Sequence, residues 1–493
     1  MTGTLLALSL AIAFGGGAVV VAPPEGPAGA PAGWIGAAVA EALPRALQRA
    51  GVPAIPDADR RRALETLGAS AAGTTHATAI RVAEALGASR LVLGSWEQRG
   101  ADLTLSLRLL DVSRGSLSAP LVATAPLGGL GGLVGALAWD IALAGPRPPA
   151  GTRDALVQAA GRAPLEAVRA LGEGLAVREA PLRQAGARRA LAVDPAYEEA
   201  ALALGRMLVD ASAFEEARAV LSRVAPGSVF ARDARFLDGV ALLGLGRHRE
   251  ADVLYSDLAR DGASAAVLSN RALARLRAGA AAGGASTLLR QAVEAEPASL
   301  DLPFNLGRAL LVEGDAAAAT FWLRGALRHD PVDAQGRLLL SWALAAGGQA
   351  DEAEEQRKAA VALLPSLGTL HTPDASSRLE RVLLSEWGLL LDPERAADAA
   401  EARSLASRGE TLLGQGNLAG AVSELARASI LDPYAAAPHR LLARAHRSLG
   451  ASEKAVEELR MSLWCREDPV VRRELAELLR ALGRADEAKR VLG

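Results

Sequence analysis

Apolar residues along most of the chain recur at the spacing of an amphipathic helix. Leu302, Leu306, Leu310 and Leu311 illustrate the pattern, since residues three and four apart share one helix face. Short turns with helix-stopping glycine or asparagine separate these segments. The clearest turns are Gly314-Asp315, Gly347-Gly348 and Gly416-Asn417. The C-terminal two-thirds of the chain is therefore predicted to consist of paired antiparallel helices.

Three residue types repeat along these helices with a period of 34 residues. The alanines are Ala217, Ala251, Ala285, Ala319, Ala353, Ala421 and Ala455; the glycines are Gly205, Gly239, Gly307 and Gly409; the prolines are Pro195, Pro297, Pro331, Pro365 and Pro433. Small residues suit the closest contact between two helices, where a larger side chain would overpack. Proline lacks an N–H group and is expected to end the second helix of each pair.

These positions carry a resemblance. The run Leu306-Gly307-x-x-Leu310, then Ala319-x-x-x-Leu323 and Pro331, resembles the tetratricopeptide repeat (TPR) consensus, and Leu204-Gly205 with Ala217 repeats it. The resemblance implies an α-solenoid of about eight or nine helix pairs with a concave groove. The expected units are 164–197, 198–231, 232–265, 266–299, 300–333 and 334–367, forming a first array (164–367), and 402–435, 436–469 and 470–493, forming a second array (402–493).

One period, residues 368–401, breaks the pattern. Trp387 stands where alanine is expected, and His371-Thr372-Pro373-Asp374 opens the stretch. We predict a loop and then a helix from Ser376 to Leu391. The stretch would cap the first array or reorient the second; the alternative is a degenerate repeat that still stacks.

Residues 19–144 alternate between strand and helix patterns. Leu103, Leu105, Leu107 and Leu109 lie on one face of a strand, opposite polar residues. The pattern predicts strands near 18–22, 52–55, 89–97, 102–111 and 121–125, and helices near 34–50, 57–67, 75–86 and 130–143. Residues 145–151, rich in proline and glycine, are predicted to be a linker. We expect a small α/β domain before the repeats.

A second resemblance follows from this part of the chain. The run of residues 79–97, with its Leu-Gly-Ala and Gly-Ser pairs, and the strand that ends at Asp111 resemble the amino-terminal domain of TolB and its CsgG- and FlgO-like relatives. The resemblance implies a docking module of a bacterial envelope protein, often preceded by an export signal.

The first residues bear on location. Leu5 to Phe14 is an apolar run of the length of a signal-peptide core, followed by small residues, although the first basic residue is Arg45. We predict a signal peptide over residues 1–18 and a periplasmic or envelope location with no membrane span after cleavage. The alternatives are a buried N-terminal segment, an uncleaved anchor through Val21 and a cytoplasmic location.

Composition and motifs give no sign of catalysis. The net charge of −2 does not favour nucleic acid, and the single cysteine, Cys465, cannot form an internal disulfide. No phosphate-binding loop, serine nucleophile motif or metal-ligand spacing occurs. The glycine-rich run 128–135 lacks the spacing of a dinucleotide fingerprint. We expect no enzyme activity, no cofactor and no metal.

Polar residues on the first helix of each unit are candidates for a peptide-binding groove. We expect exposed side chains at Arg206, Asn270, Asn305, Arg308, Trp342, Arg440 and Arg444. Asn305 matches an asparagine that TPR grooves use to hold a peptide backbone, and Arg308 is placed to take a carboxylate. The predicted function is a scaffold that binds a protein or peptide in a bacterial envelope or export-related assembly. The alternative is a cytoplasmic sensor or regulator that lacks its own DNA-binding or cyclase domain.

Overall fold

The computed structural model describes residues 17–27, 33–68, 75–279, 284–296, 299, 301–371, 379–388, 393–432, 435–465 and 468–492. These residues form two compact units. The first is drawn from residues 1–59 and 87–389, and the second from 60–86 and 390–493.

A small mixed sheet lies at the start of the first unit. Its strands are β1 (Val19–Val21), β2 (Arg90–Arg99), β3 (Asp102–Asp111), β4 (Ser116–Leu117) and β5 (Leu121–Pro126). β1 pairs parallel with β2, β2 and β3 form an antiparallel hairpin, and β4 and β5 both pair with β3. Leu103, Leu105, Leu107 and Leu109 are buried, which confirms the alternation predicted for β3. The strand predicted near 52–55 is instead a single bridge from Ala54 to Val19.

Four helices occur over the same stretch of sequence: α1 (Gly33–Arg49), α2 (Asp57–Thr66), α3 (His76–Ala85) and α4 (Leu130–Leu143). Of these, α3 and most of α2 belong to the second unit. The ends of all four helices lie within about two residues of the predicted ones. Thr75 caps α3 as predicted, because its hydroxyl accepts a hydrogen bond from the N–H of Thr78 at 3.3 Å.

The glycine-rich run serves helix packing. A Cβ atom added at Gly131 would lie 2.3 Å from the carbonyl oxygen of Ala160, and one at Gly135 would lie 2.9 Å from Cα of Val157. Both contacts are with the next helix, α5 (Arg153–Ala160). Glycine therefore lets α4 approach the backbone of α5.

Nine helix pairs follow among the described residues. They are α6 (Leu165–Leu175) with α7 (Ala180–Val193), α8 (Glu198–Asp210) with α9 (Phe214–Leu221), α10 (Ala231–Gly244) with α11 (His248–Arg260), α12 (Ala265–Arg277) with α13 (Ala285–Ala295), α14 (Asp301–Val312) with α15 (Ala316–His329), α16 (Ala334–Ala346) with α17 (Ala350–Leu363), α18 (Pro393–Gly414) with α19 (Leu418–Leu431), α20 (Ala436–Ser448) with α21 (Ser452–Cys465), and α22 (Pro469–Ala481) with α23 (Ala485–Leu492). The predicted α-solenoid preceded by a small α/β domain is confirmed.

The repeat glycines lie at the closest contact within each pair. A Cβ atom at Gly307 would lie 2.6 Å from Cγ of Leu323, and one at Gly409 would lie 2.5 Å from Cγ of Leu425. In the same way, a Cβ atom added at Gly205 would lie 2.4 Å from Leu221, and one added at Gly239 would lie 2.6 Å from Tyr255. The seven repeat alanines are all buried.

The repeat prolines follow the end of a second helix. The residue before each proline has an extended backbone, with φ between −130° and −142° at Asp194, Glu296, Asp330, Leu364 and Asp432. A following proline favours this conformation. Pro297 and Pro433 themselves lie outside the described residues. The turn glycines Gly314, Gly348 and Gly416 have φ of 86°, 80° and 78°, as expected for a helix end.

The core of the first unit runs from the sheet into the repeats. Gly172 of α6 packs against α1, where an added Cβ atom would lie 2.7 Å from the carbonyl oxygen of Trp34. Arg45 of α1 donates to Asp233 of α10 at 2.7 Å, and Arg49 donates to Glu199 of α8 at 2.9 Å. The Arg49 guanidinium also lies 4.7 Å from the centre of the Phe230 ring. The α/β domain is therefore anchored on the first helix pairs by apolar packing and charge.

In the second unit, the pairs α18–α19, α20–α21 and α22–α23 follow one another, and α3 contacts α21. Ala421, Leu425 and Leu442 form one buried cluster, while Ala455, Leu459 and Leu475 belong to another.

Residues 379–388 contain no helix. The helix predicted from Ser376 to Leu391 is wrong over these residues, while 372–378 and 389–392 lie outside the described part of the chain.

Candidate functional site

Residues 379–388, called here the groove segment, lie along the helices of the first array. They contact side chains of α10, α12 and α14, which are the first helices of three successive pairs. The segment runs opposite to the order of the helices: Arg381 contacts α14, Leu383 contacts α12 and Glu386 contacts α10. None of its ten residues is exposed.

Two asparagine side chains hold the backbone of the groove segment. Asn305 accepts a hydrogen bond from the N–H of Arg381 at 2.9 Å and donates to its carbonyl oxygen at 2.8 Å. Asn270 makes the same pair of bonds with Leu383, at 2.9 and 2.8 Å. Residues two apart in an extended chain present their backbone groups in the same direction, so successive helices can each hold one. Both asparagines are fully buried.

The second N–H of each asparagine amide is also used. Asn305 donates to the hydroxyl of Ser269 at 3.2 Å, and Asn270 donates to the hydroxyl of Tyr255 at 3.2 Å. Tyr255 in turn donates to the carbonyl oxygen of Phe236 at 3.2 Å. Burial raises the pKa of Tyr255 well above its usual value, so the hydroxyl stays neutral. These contacts orient the two amide planes toward the backbone of the segment.

Glu380 lies between two arginines. Arg308 donates to one carboxylate oxygen at 2.7 Å and Arg277 donates to the other at 3.0 Å. The side chains of Arg308 and Glu380 are each 1% exposed. Burial alone would raise the pKa of Glu380, but the attraction and hydrogen bonds of the two arginines outweigh it and hold the pKa below its usual range. This pocket therefore selects an ionised carboxylate.

The neighbouring Arg381 meets the opposite charge. Its guanidinium donates to Asp301 at 3.1 Å and also to Asp333, the N-cap residue of α16. It lies 4.0 Å from the centre of the Phe304 ring, a cation–π arrangement. The groove thus binds an acidic and a basic side chain at adjacent positions.

Glu386 occupies a second carboxylate pocket. Arg232 donates to its two oxygens at 2.8 and 2.7 Å, a bidentate pair, and the Ser264 hydroxyl donates at 2.7 Å. Between the two pockets, Val382, Leu383 and Leu384 pack against the main core of the first unit. The groove therefore binds charge at both ends and apolar side chains in the middle.

A third carboxyl group faces this end of the groove. A Cβ atom added at Gly388 would lie 2.6 Å from a carboxylate oxygen of Glu296. Burial, together with repulsion from Glu386, raises the pKa of Glu296 to about 7. Glu296 is therefore expected to change protonation near neutral pH.

The structure separates the seven predicted groove residues into four groups. Asn270, Asn305 and Arg308 meet on the groove segment, and they are buried rather than exposed because the segment covers them. Trp342 is also buried, in the core of the following pairs, since it packs with apolar side chains. Arg206 instead forms an ion pair with Asp59 at 3.5 Å.

Arg440 and Arg444 belong to the second unit. They line a cavity of about 270 Å³ with Glu410, Ser462 and Asp468. Arg440 donates to Glu474 at 2.6 Å, and Arg444 is exposed. Their predicted role in partner binding stays a prediction.

Four groove features were missed at the sequence level: Arg232, Arg277, and the two acidic residues of the segment, Glu380 and Glu386. The 34-residue frame does not place Arg232 and Arg277 at the predicted groove positions, because they lie at the start and end of their helices. The sequence did carry one indication of the site, which is the interruption of the 34-residue period at residues 368–401, where the groove segment lies.

No protein-family model matches the sequence, and a search of curated proteins finds no match. Solved structures that the chain resembles are TPR proteins. YrrB, described as a TPR protein with an unusual peptide-binding site, is 17% identical over 36% of this chain and 92% of its own, with a TM-score of 0.30. MamA of AMB-1 is 22% identical over 33% of this chain and 96% of its own, with a TM-score of 0.29. MamA of Desulfovibrio magneticus RS-1 is 18% identical over 35% of this chain and 97% of its own, with a TM-score of 0.31.

Two further features of the described residues concern metal binding and membrane insertion. Among them, no three His, Cys, Asp or Glu side chains are grouped so that they could hold a metal ion. No helix built from these residues combines the length and apolar character needed to cross a membrane.

Proposed function

We propose that the protein is a non-catalytic scaffold whose first array binds an extended segment of another protein. The observation that carries this proposal is the pair of bidentate contacts from Asn270 and Asn305 to a peptide backbone. A backbone contact of this kind does not depend on the side chain held, so it suits recognition of a peptide as such.

The side-chain pockets supply selectivity. Arg277 and Arg308 form one anion-binding site, and Arg232 and Ser264 form the other. The apolar residues between them lie against the core. Charge-assisted bonds in a buried setting are stronger than neutral ones. The groove therefore combines a general hold on the backbone with a preference for charge at defined positions.

The test uses the full-length chain with the groove segment weakened by Glu380→Ala, Leu383→Ala and Glu386→Ala, called the open variant. A fluorescein-labelled peptide with the sequence of residues 378–388 is titrated in an anisotropy assay. We expect saturable binding that is lost when Asn270→Ala and Asn305→Ala are added. Asn417→Ala, which removes an asparagine that caps α19 in the second unit, is the matched control and should leave binding unchanged. A folded open variant that does not bind the peptide would refute the proposal.

We further propose that the α/β domain resembles the TolB amino-terminal module and docks to a component of the bacterial envelope or export machinery. The helix–strand–hairpin order of α3, β2 and β3 supports this, as does the apolar run from Leu5 to Phe14, which lies outside the described residues. Osmotic shock of the native organism tests the location. Recovery of the protein only with the cytoplasm would favour the second candidate, a cytoplasmic regulator, which the regular groove supports equally well.

A further inference from the structure

We propose that the groove segment is a resident competitor, and that the protein partner displaces it with an extended segment of the pattern acidic–basic–x–apolar–x–x–acidic. This inference rests on the proposed peptide-binding function. It assigns both the kind of partner and the way in which access to the groove is controlled.

The pattern follows from the pockets. Glu380 and Arg381 occupy adjacent sites of opposite charge, Leu383 packs against an apolar cluster that includes Leu268 and Leu302, and Glu386 lies six residues after Glu380. When the segment leaves, the buried guanidinium groups of Arg277 and Arg308 lose a carboxylate. A ligand that covers these guanidinium groups again without supplying a carboxylate would bury their charge uncompensated, which is costly, so a ligand that restores a carboxylate at this point is favoured over one that does not.

The segment is held in a way that allows displacement. Its described residues belong to no helix and no strand, whereas the repeats around it are joined by helix packing. Undocking the segment would break the asparagine contacts and ion pairs and leave the glycine and alanine contacts between helices in place. Opening of one such segment while the rest of the fold stays intact is a sub-global opening of the kind that native proteins undergo.

The segment also has a higher local concentration at the groove than a free peptide, because it is part of the same chain. A tethered ligand reaches an effective concentration of the order of millimolar, so a free peptide of equal intrinsic affinity binds only weakly while the segment is docked. The apparent dissociation constant rises by the inverse of the fraction of chains with an open groove. Removing the segment's anchors should therefore tighten peptide binding without any change to the groove.

The experiment compares the wild-type chain with the open variant, using the same labelled peptide of residues 378–388. We expect the open variant to bind at least about tenfold more tightly than the wild type, because competition is relieved. A peptide with both glutamates replaced by glutamine should bind the open variant at least about tenfold more weakly, since it restores neither carboxylate. Circular dichroism establishes that the open variant is folded.

Different results overturn different statements. Equal, tight binding by wild type and open variant would refute the competitor while leaving peptide binding intact. No binding by a folded open variant would refute the proposed function as well. Equal binding of the glutamine peptide would refute the acidic pattern.

If the open variant does not fold, hydrogen exchange on isotopically labelled wild-type chain decides. Excess peptide should raise exchange at the amides of Arg381 and Leu383, which Asn305 and Asn270 hold. Unchanged exchange at millimolar peptide would overturn the proposal.

Light scattering tests whether the partner is a second copy of the chain. A wild-type dimer that the peptide converts to monomer would identify a second copy as the partner and refute displacement by a different protein.

Discussion

The carboxylate of Glu380 offers a direct measure of how strongly the groove segment is held. Glu380→Gln preserves the size of the side chain but removes the negative charge from between Arg308 and Arg277, at 2.7 and 3.0 Å. Removing one member of a buried ion pair costs about 3–5 kcal/mol. An amide oxygen still accepts one hydrogen bond, so we expect a loss near the lower limit, about 3 kcal/mol.

The fall in the free energy of unfolding has an upper limit, because the segment can either stay docked and bear the full loss or undock. If docking of the segment is worth less than the lost interaction, the segment undocks and the fall in the free energy of unfolding stops at the docking energy. Chemical denaturation gives this free energy, and limited proteolysis between residues 379 and 388 reports docking. Glu354→Gln, which removes an exposed ion pair with Lys358, is the matched control and should cost no more than about 1 kcal/mol.

The reasoning would be refuted by a Glu380→Gln variant that loses less than about 1 kcal/mol and keeps the segment protected, since a buried charge cluster should cost more than a surface pair. Replacing Arg277, Arg308 and Glu380 together by apolar residues should cost less than the single change, because no buried charge is then left behind.

Three further predictions concern packing and pH. Gly307→Ala places a Cβ atom 2.6 Å from Leu323 and should lower the free energy of unfolding by about 1–3 kcal/mol, as measured by chemical denaturation. Gly325→Ala is the control: its Cβ atom meets only an arginine side chain, at 3.7 Å, so the change should be neutral or stabilising. Ala319→Leu should likewise lower the thermal midpoint, at a cost of about 1–3 kcal/mol, since Ala319 is fully buried. The pKa of Glu296 is raised to about 7 in the folded chain against an ordinary 4.5, so folding takes up a proton, and stability should fall as pH rises from about 4.5 to about 7 and then level off. Glu296→Gln should abolish that part of the pH dependence, and an equal slope in both proteins would contradict the assignment.

The sequence predicted the repeats well because one set of residues determines them locally. Gly307 and Ala319 are small where two helices touch, and Gly314 has the positive φ that ends a helix. Each of these requirements acts within one helix pair, so spacing along the chain is enough to reveal it. The strand β3 was predictable for the same reason, since the alternation of Leu103 and Leu105 with polar residues reflects a sheet with one buried face.

The candidate site was only half predictable. Asn305 and Arg308 could be named because they occupy fixed positions on a first helix, but their contacts come from residues 76 and 72 positions further along the chain. Nothing in the local pattern connects Arg381 with Asn305, or Glu386 with Arg232. Burial of the groove residues is a consequence of these long-range contacts, which is why exposure was predicted wrongly for Asn270, Asn305 and Arg308.

The wrong prediction of a helix over residues 379–388 has a physical cause. Arg378 to Trp387 contains leucines, glutamates and arginines, all good helix formers, and no glycine or proline. The groove overrides this preference, because the two asparagines satisfy the backbone groups of Arg381 and Leu383 that a helix would pair internally. Natural sequences usually agree between local preference and fold, and disagreement is concentrated where function imposes a second requirement. A segment that prefers a helix when free loses that preference on docking, which weakens its hold on the groove relative to a partner segment that is extended already.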